Sequence, residues 1–457
     1  MSIFVAKYMD CGMKIRVAFF FENKGLAGFD CRRIGEGNPG LGGTAYMFYV
    51  VAWLLASRNN DIDVTLMTTH EGLFPDCLRV EQVEGLTDAM RRCRKQGIEY
   101  LVTKYSEEHR QMKELLLPPG NKCEGAGCKD VKLIVWCHNF ASAKMLRFYA
   151  QCPNVARLIC VGREQMDRYR DHQAFAKSDY IFNCVDTGIV THQMEESMQE
   201  DFARRGNIVC YIGAVIPSKG LHLLTAAWRN VLKQVPDAEL YVIGNGALYG
   251  GNPKLGPWNL AERTYEQRVL RPVMEDGKLL PSVHLMGIVG GKEKFDLLRK
   301  VRVGVPNPSG ETETFCISAI EMQLMGARIA SKRCPGYLDT VRNGRLVNSK
   351  RELADCIVRE LLEPTTDYVS TLKDIRQRFS LEAVAKDWEE LFLEALPEGR
   401  HLHDILPMAN LDFEHKRLKE RLRRWKEQLP WLRRVLPMVD NFYEAKRAAS
   451  HFLGRYL

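Results

Sequence analysis

Short apolar runs alternate with amphipathic stretches along the first part of the chain. Runs that are apolar at every position, rather than at alternate positions, are typical of parallel strands covered on both faces. The stretches between them have helical spacing, so the pattern predicts a βαβ series and a doubly wound sheet. The predicted strands are residues 15–21, 64–67, 133–136, 157–161 and 180–182.

The same pattern restarts after a polar stretch, residues 191–205, which we interpret as a linker region. A helix is predicted at 217–235. The predicted strands around it are 208–212, 240–243, 283–286 and 301–305. The expected fold class is therefore α/β, with two Rossmann-like domains of residues 13–190 and 206–378 facing each other across a cleft. Ligands of such sheets bind beyond the carboxyl ends of the strands.

Residues 379–396 have the pattern of one amphipathic helix. Its apolar face includes Leu381, Val384, Trp388 and Leu391. We predict that this helix packs back toward the N-terminal domain.

Residues 397–457 form a separate tail with a second amphipathic pattern. Its apolar positions alternate at four- and three-residue spacing: Leu418, Leu422, Trp425, Leu429, Leu432 and Leu436. Pro430 and Pro437 interrupt this seam, so the main helix is predicted near 412–428, with shorter helices after it.

The longest apolar run, Tyr46–Ala56, is shorter than the roughly 20 residues that a spanning helix requires. We interpret it as a buried helix of the first domain.

The start of the chain has no apolar run typical of a secretory leader, so a cytoplasmic location and reduced cysteines are expected. A zinc site at Cys123 and Cys128 is the less favoured interpretation, because structural zinc usually needs four ligands.

The tail carries much of the positive charge. The formal net charge of the chain is +8, and residues 397–457 hold 13 Lys and Arg against 8 Asp and Glu, a net of +5. A basic tail on a nearly balanced body argues against nucleic acid as a partner. Three interpretations of the tail stay open: it lies on a membrane surface, pairs with a partner helix, or packs on its own body. The first is favoured, with a peripheral position at the inner face of the plasma membrane.

The segment from Pro306 to Met322 is the strongest candidate for chemistry. It follows a predicted buried strand, is rich in Pro, Gly and Ser, and becomes helical near Cys316. A helix that begins after such a loop presents unpaired N–H groups and binds anions, so a diphosphate fits there. Glu313 in the loop and Glu321 two turns along the helix are suited to accept hydrogen bonds from sugar and ribose hydroxyls. The alternative is that both are solvated or capping glutamates.

Five segments together resemble retaining glycosyltransferases of the GT-B fold, the family 4-like or group 1 type. The stretch from Glu313 to Glu321 resembles the E-x7-E signature of these enzymes. Four further segments resemble family motifs in the family's order: Pro39–Gly43, Val135–His138, Phe182–Asp186 and Tyr211–Gly220. The resemblance covers roughly residues 14–396.

The resemblance implies a role for each matching residue. Lys219 would pair with the donor diphosphate, Glu313 would hold the donor sugar, Glu321 would hold the ribose, and His138 would lie beside the reacting sugar. Glycines at 42 and 43 would let the backbone approach phosphate and sugar. The other donor-binding residues implied are Gly244, Ile288, Thr314, Phe315, Cys316 and Ile317.

Two positions depart from the family pattern. Ala214 stands where the family often has an arginine, five residues before the lysine, and Cys316 stands where a glycine is usual. The phosphate charge would then be carried mainly by Lys219 and backbone amides.

The function expected from these residues is retaining, metal-independent transfer of a sugar from a nucleotide-sugar donor. The acceptor is expected to be a glycan, glycolipid or lipid-linked molecule, in cell-surface polysaccharide or glycolipid synthesis. No cofactor or metal is expected, and the Asp61-Ile-Asp63 sequence, which has the spacing of a metal motif, is interpreted as a solvated turn before a strand. The alternatives are a nucleotide-sugar epimerase and a catalytically silent sugar-binding scaffold.

Overall fold

The structure is a computed structural model that describes residues 14–58, 61–112, 131–247, 254–310, 313–394, 396–405, 415–442 and 445. Cys123 and Cys128 lie outside these residues. Two parallel sheets, each flanked by helices, form the body of the molecule.

The N-terminal sheet has seven parallel strands in the order β3-β2-β1-β4-β5-β6-β7. Their bounds are β1 Ile15–Phe21, β2 Ile62–Thr68, β3 Arg79–Gln82, β4 Tyr100–Lys104, β5 Lys132–Cys137, β6 Val155–Cys160 and β7 Ser178–Tyr180. The helices are α1 Gly43–Ser57, α2 Leu86–Gln96, α3 Ala143–Gln151, α4 Arg163–Asp167 and α5 His192–Asp201. The chain order reverses between β1 and β4, which is where such sheets place ligands.

The C-terminal sheet has six parallel strands in the order β12-β9-β8-β13-β14-β15. Its strands are β8 Ile208–Ile212, β9 Glu239–Ile243, β12 Val283–Gly287, β13 Val303–Gly304, β14 Arg328–Lys332 and β15 Gly344–Val347. A separate antiparallel hairpin consists of β10 Met274–Glu275 and β11 Lys278–Leu279. The helices are α6 Leu221–Leu232, α7 Arg263–Leu270, α8 Gly291–Leu298, α9 Ile317–Leu324, α10 Pro335–Thr340, α11 Leu353–Leu362 and α12 Tyr368–Phe379. Here the order reverses between β8 and β13.

These sheets confirm the predicted α/β fold class. Each strand predicted from an apolar run overlaps a strand of the structure. The polar stretch 191–205 is largely helical, because Thr191 caps α5 by accepting a hydrogen bond from the Met194 N–H group. Asp63 lies within β2 rather than in a turn. Between the predicted strands 64–67 and 133–136, the structure contains two further strands, β3 and β4, which the apolar pattern did not predict.

The helix predicted at 379–396 is interrupted. Phe379 ends α12, Ser380 pairs with Val185 in a short bridge, and α13 runs from Leu381 to Glu394. The α13 side chain of Trp388 is fully buried against the N-terminal sheet, with its ring centroid 5.6 Å from that of Phe19 and 4.8 Å from that of Trp136.

The tail contains α14 Lys416–Gln428 and α15 Leu432–Val435. Helix α14 packs against the segment after β6 in the N-terminal domain, through Lys416 and Glu420. Among the residues that the structure describes, no helix combines the length and apolar character needed to span a bilayer.

Candidate active site

A cleft of about 500 Å³ lies between the carboxyl ends of the two sheets. The strands that end near it are β5 and β7 on one side and β8, β9, β12 and β13 on the other. All twelve residues singled out in the sequence line this cleft: Gly42, Gly43, His138, Lys219, Gly244, Ile288, Glu313, Thr314, Phe315, Cys316, Ile317 and Glu321. Folding therefore gathers segments that lie far apart in the chain.

Two helix N-termini from opposite domains meet at the cleft. Gly42 is the N-cap of α1 and Cys316 is the N-cap of α9, and neither helix has a capping hydrogen bond from its N-cap side chain, which glycine lacks. A Cβ atom placed on Gly43 would lie 3.6 Å from Cδ1 of Ile317, which shows how closely the two ends approach. Unpaired N–H groups and helix dipoles thus converge on one region and favour a bound anion. Burial raises the pKa of Cys316 to about 12, so its thiol is neutral there.

Lys219 and Glu313 form an ion pair in the cleft. Lys219 Nζ donates to Glu313 Oε2 over 2.7 Å, and Asn307 Nδ2 donates to the same oxygen over 2.8 Å. Lys219 is placed by the turn into α6, where Gly220 has φ 72 and a Cβ atom would lie 2.7 Å from the Ser309 nitrogen. Only glycine satisfies both constraints, which accounts physically for the Lys-Gly pair.

Glu321 holds a second lysine that the sequence analysis did not single out. Lys294 Nζ, on α8, donates to Glu321 Oε1 over 2.7 Å, and the Lys294 side chain is buried. The contact between Lys294 and Glu321 depends on how α8 packs beside α9. The local sequence around the lysine, Gly-Gly-Lys-Glu-Lys, does not indicate that contact. Each cleft glutamate therefore holds one lysine.

His138 follows β5 and lies in an aromatic environment. Its ring centroid is 4.6 Å from that of Trp136 and 5.9 Å from that of Phe48. Burial, with a smaller contribution from the charge of Lys104, lowers the pKa of His138 to about 3. Its Nε2 atom has no hydrogen-bond partner among the described residues, although it is buried at the cleft. A neutral imidazole with an unused nitrogen is suited to bind a ligand hydroxyl.

The loop that carries Glu313 is held against both domains. Thr314 Oγ1 donates to the carbonyl oxygen of His138 over 2.7 Å, and the Phe315 ring packs 5.9 Å from that of Phe182. Glu313 in turn accepts, at its carbonyl oxygen, a hydrogen bond from the Gly336 N–H group. The loop is thus fixed by contacts on three sides.

Gly244 and Ile288 occupy the floor of the cleft at the ends of β9 and β12. Gly244 has φ 114, and a Cβ atom there would lie 2.1 Å from the Gly213 carbonyl oxygen. Both the positive φ and the close backbone packing require glycine at this position. The Ile288 side chain is 51% exposed, which leaves an apolar surface open to a ligand.

Ala214 is fully buried at the position of the missing arginine, and the Tyr211 hydroxyl donates to its carbonyl oxygen over 2.9 Å. Among the described residues that line the cleft, the cationic side chains are Lys219 and Lys294. Asn183, which the sequence analysis noted only as part of a motif, also lines the cleft. Its buried amide oxygen has no partner within the described part of the chain.

Comparison with known proteins agrees with this geometry. Residues 206–363 match the family described as "Glycosyl transferases group 1". The match covers β8 to α11, and hence both cleft glutamates and Lys219. It confirms the enzyme class inferred from the sequence motifs. No curated protein matches the sequence as a relative.

Solved structures share the architecture at low sequence identity. Anabaena Alr3699/HepE in complex with UDP and glucose aligns over 84% of this chain and 100% of its own, with 14% identity and a TM-score of 0.56. A glycosyltransferase from Rickettsia africae aligns over 84% and 98%, with 13% identity and a TM-score of 0.58. Sucrose-phosphate synthase from Thermosynechococcus elongatus aligns over 83% and 99%, with 17% identity and a TM-score of 0.56. These likenesses confirm the GT-B fold.

Proposed function

We propose that this chain, whose residues 206–363 match the group 1 glycosyltransferase family, transfers a sugar from a nucleotide-sugar donor with retention of anomeric configuration. The acceptor is a glycan, glycolipid or lipid-linked molecule. One observation carries the proposal: the Lys219–Glu313 pair lies beside two uncapped helix N-termini at the mouth between the domains.

The cleft suits the charge that develops in this reaction. Glycosyl transfer passes through an oxocarbenium-like state while negative charge grows on the leaving phosphate. Fixed donors aimed at that charge lower the barrier, because they need no reorganisation during the reaction. Lys219 and the N–H groups of α9 supply such donors here. Lys219, released from Glu313 by the donor phosphates, leaves that carboxylate to accept hydrogen bonds from the sugar.

The same groups support metal-independent transfer. The two helix N-termini, together with Lys219 once it exchanges Glu313 for the donor, give the diphosphate neutralising partners in the protein itself. The ribose is assigned to Glu321, whose second oxygen accepts no hydrogen bond from the described residues. A similar structure is a complex with UDP-glucose, and a uridine diphosphate sugar is therefore the first donor class to test here.

His138 binds rather than transfers a proton in this proposal. Its pKa of about 3 keeps the imidazole neutral at ordinary pH, so it cannot act as a general acid near pH 7. The unpartnered Nε2 is free to hold a hydroxyl of the donor sugar. The departing phosphate then receives the acceptor proton, as the resemblance to retaining enzymes implies.

A donor screen followed by a product assay tests the proposal. The true nucleotide sugar at 100 times its dissociation constant should stabilise the protein by about 2.7 kcal/mol. Lys219→Ala and Glu313→Gln should each reduce transfer by about 100- to 1000-fold while the folded state persists. Trp258→Ala, at an exposed position that is not among the residues lining the cleft, serves as the control.

Three outcomes would contradict the proposal. These are unchanged transfer by the Lys219 and Glu313 variants, an inverted product, and loss of transfer on chelation of metal ions that is restored only by adding metal. An epimerised donor formed without acceptor would instead identify the epimerase alternative.

A further inference from the structure

Helix α14 packs on the body through its charged face. The residues of α14 that are buried are Lys416, Lys419, Glu420 and Lys426. Its apolar side chains point the other way: Leu418 is 44% exposed, Trp425 is 48% exposed, and Leu429, which follows the helix, is 47% exposed. This is the inverse of the usual arrangement for an amphipathic helix on a soluble protein.

Ion pairs with the N-terminal domain fix this orientation. Lys416 Nζ lies 2.6 Å from Glu164 Oε1 and 3.0 Å from Asp167 Oδ2. Two further pairs join Glu420 to Arg170 over 3.2 Å and Lys426 to Asp171 over 3.5 Å. These side chains are almost completely buried.

Rotating α14 to bury its leucines would break these pairs. Glu164, Asp167 and Asp171 would then remain buried without their lysine partners, which is strongly unfavourable. The outward apolar face is therefore imposed by the packing of the helix and is not an accident of a loosely held tail.

The outward face combines two parallel rows of side chains. Leu418, Leu422, Trp425 and Leu429 form an apolar row at helical spacing. Each is preceded in the sequence by a member of the second row, Arg417, Arg421, Arg424 and Gln428, all of which are exposed. Beyond α14, further exposed apolar side chains extend the surface: Trp431, Val435 and Phe442. We call this surface, residues 417–442, the tail face.

We propose that the tail face is a docking surface for an anionic lipid bilayer. Aromatic and apolar side chains enter the interface between headgroups and acyl chains, and the arginines beside them bind anionic headgroups. The described tail, 415–442, has five exposed arginines and one exposed acid, Glu427, so its charge complements such a surface. A second copy fits less well, because an antiparallel two-fold pairing of the leucine rows would bring the arginine rows of both copies to the same side.

The tail face lies on the side of the molecule that receives the acceptor. Its anchor Glu164 follows β6, next to the β5 end that carries His138, and the Glu164 N–H group donates to Asp339 of α10 over 2.8 Å. A bilayer bound there would hold a lipid-borne acceptor beside the cleft. This last point rests on the proposed function, whereas membrane docking does not.

Vesicle co-sedimentation of the full chain tests the docking surface. Wild type should bind phosphatidylglycerol vesicles, bind phosphatidylcholine vesicles at least tenfold more weakly, and release at high salt. The double variant Trp425→Glu, Leu429→Glu should bind at least tenfold more weakly, and Arg421→Glu, which changes the charge by two units, roughly 30-fold more weakly. Matched controls in the C-terminal domain are Trp258→Glu and Arg359→Glu, which should bind like wild type.

Thermal unfolding of the same variants shows whether the fold stays intact, because their substituted side chains are exposed and should leave the unfolding temperature close to that of wild type. Loss of vesicle binding with the unfolding temperature retained supports the proposal. Wild type that binds no vesicles, or binds both lipids equally, overturns it. So does a double variant that binds like wild type, or a wild-type dimer that this variant converts to a monomer. Failure of the proposed function would show separately, as absence of transfer with soluble acceptors.

Discussion

Helices α13 and α14 have the same kind of amphipathic sequence and bury opposite faces. In α13 the apolar residues are inside, and Trp388 lies between Phe19 and Trp136 with no exposed surface. In α14 the lysines are inside and Trp425 is 48% exposed. The difference arises from the surfaces that receive them, since α13 meets the apolar face of a sheet and α14 meets the acidic segment 164–171.

Periodicity therefore predicts which face of a helix is apolar, but it does not predict which face is buried. Apolar burial contributes about 25 cal/mol per Å², whereas a buried charge left unpaired costs several kcal/mol. Where a receiving surface carries buried carboxylates, charge pairing decides the orientation.

Paired tryptophan variants test the comparison with the largest expected effect. Trp388→Ala should lower the free energy of unfolding by about 3–5 kcal/mol, because it leaves a cavity in the core. Trp425→Ala should change it by less than about 0.5 kcal/mol, as for an exposed residue. Urea unfolding curves of both variants measure the difference. Equal destabilisation would show that α14 buries its apolar face after all.

A lysine variant tests the ion pairs that orient α14. Lys416→Met should destabilise the packed tail by about 3 kcal/mol, since Glu164 and Asp167 lose the cation between them. Arg421→Met, on the exposed face of the same helix, is the matched control and should be nearly neutral. Limited proteolysis of the tail, followed by mass spectrometry, would detect its release. Identical cleavage of both variants would remove the pairing argument.

The fold and most of the candidate site could be predicted from local sequence, and the orientation of the tail could not. The site motifs lie at strand ends, where a short segment such as Glu313–Glu321 contains both the loop and the helix start. Lys294 escaped prediction because its contact with Glu321 depends on helix packing. Likewise, the partners of Lys416 lie about 250 positions away in the sequence, and no local pattern signals them.

Asp339, in α10, provides a further test, because it accepts a hydrogen bond from Glu164 in the segment that holds α14. Burial, reinforced by the Glu164 carboxylate, raises the pKa of Asp339 from 3.8 to about 6. A raised folded-state pKa stabilises the fold below pH 3.8, and this contribution is lost as pH rises through 6. The loss amounts to roughly 2–3 kcal/mol. Asp339→Asn should remove that part of the pH dependence, measured as unfolding free energy at pH 4 and pH 7. A variant that keeps the wild-type slope would contradict the assignment.

The smallest expected effect concerns His138, which the buried face of α13 supports through Trp388 and Trp136. Because the pKa of His138 is lowered to about 3, its imidazole should remain neutral from pH 5 to pH 8. The wild-type pH profile of transfer should therefore have no step near pH 6.5 that arises from His138. The His138→Gln variant should have a profile of the same shape but a lower rate, because it loses Nε2. Trp388→Phe, which keeps an aromatic ring against Trp136, should leave the profile unchanged. A step near 6.5 in wild type that disappears in His138→Gln would mean that water reaches the imidazole, and that α13 does not shield it as its burial indicates.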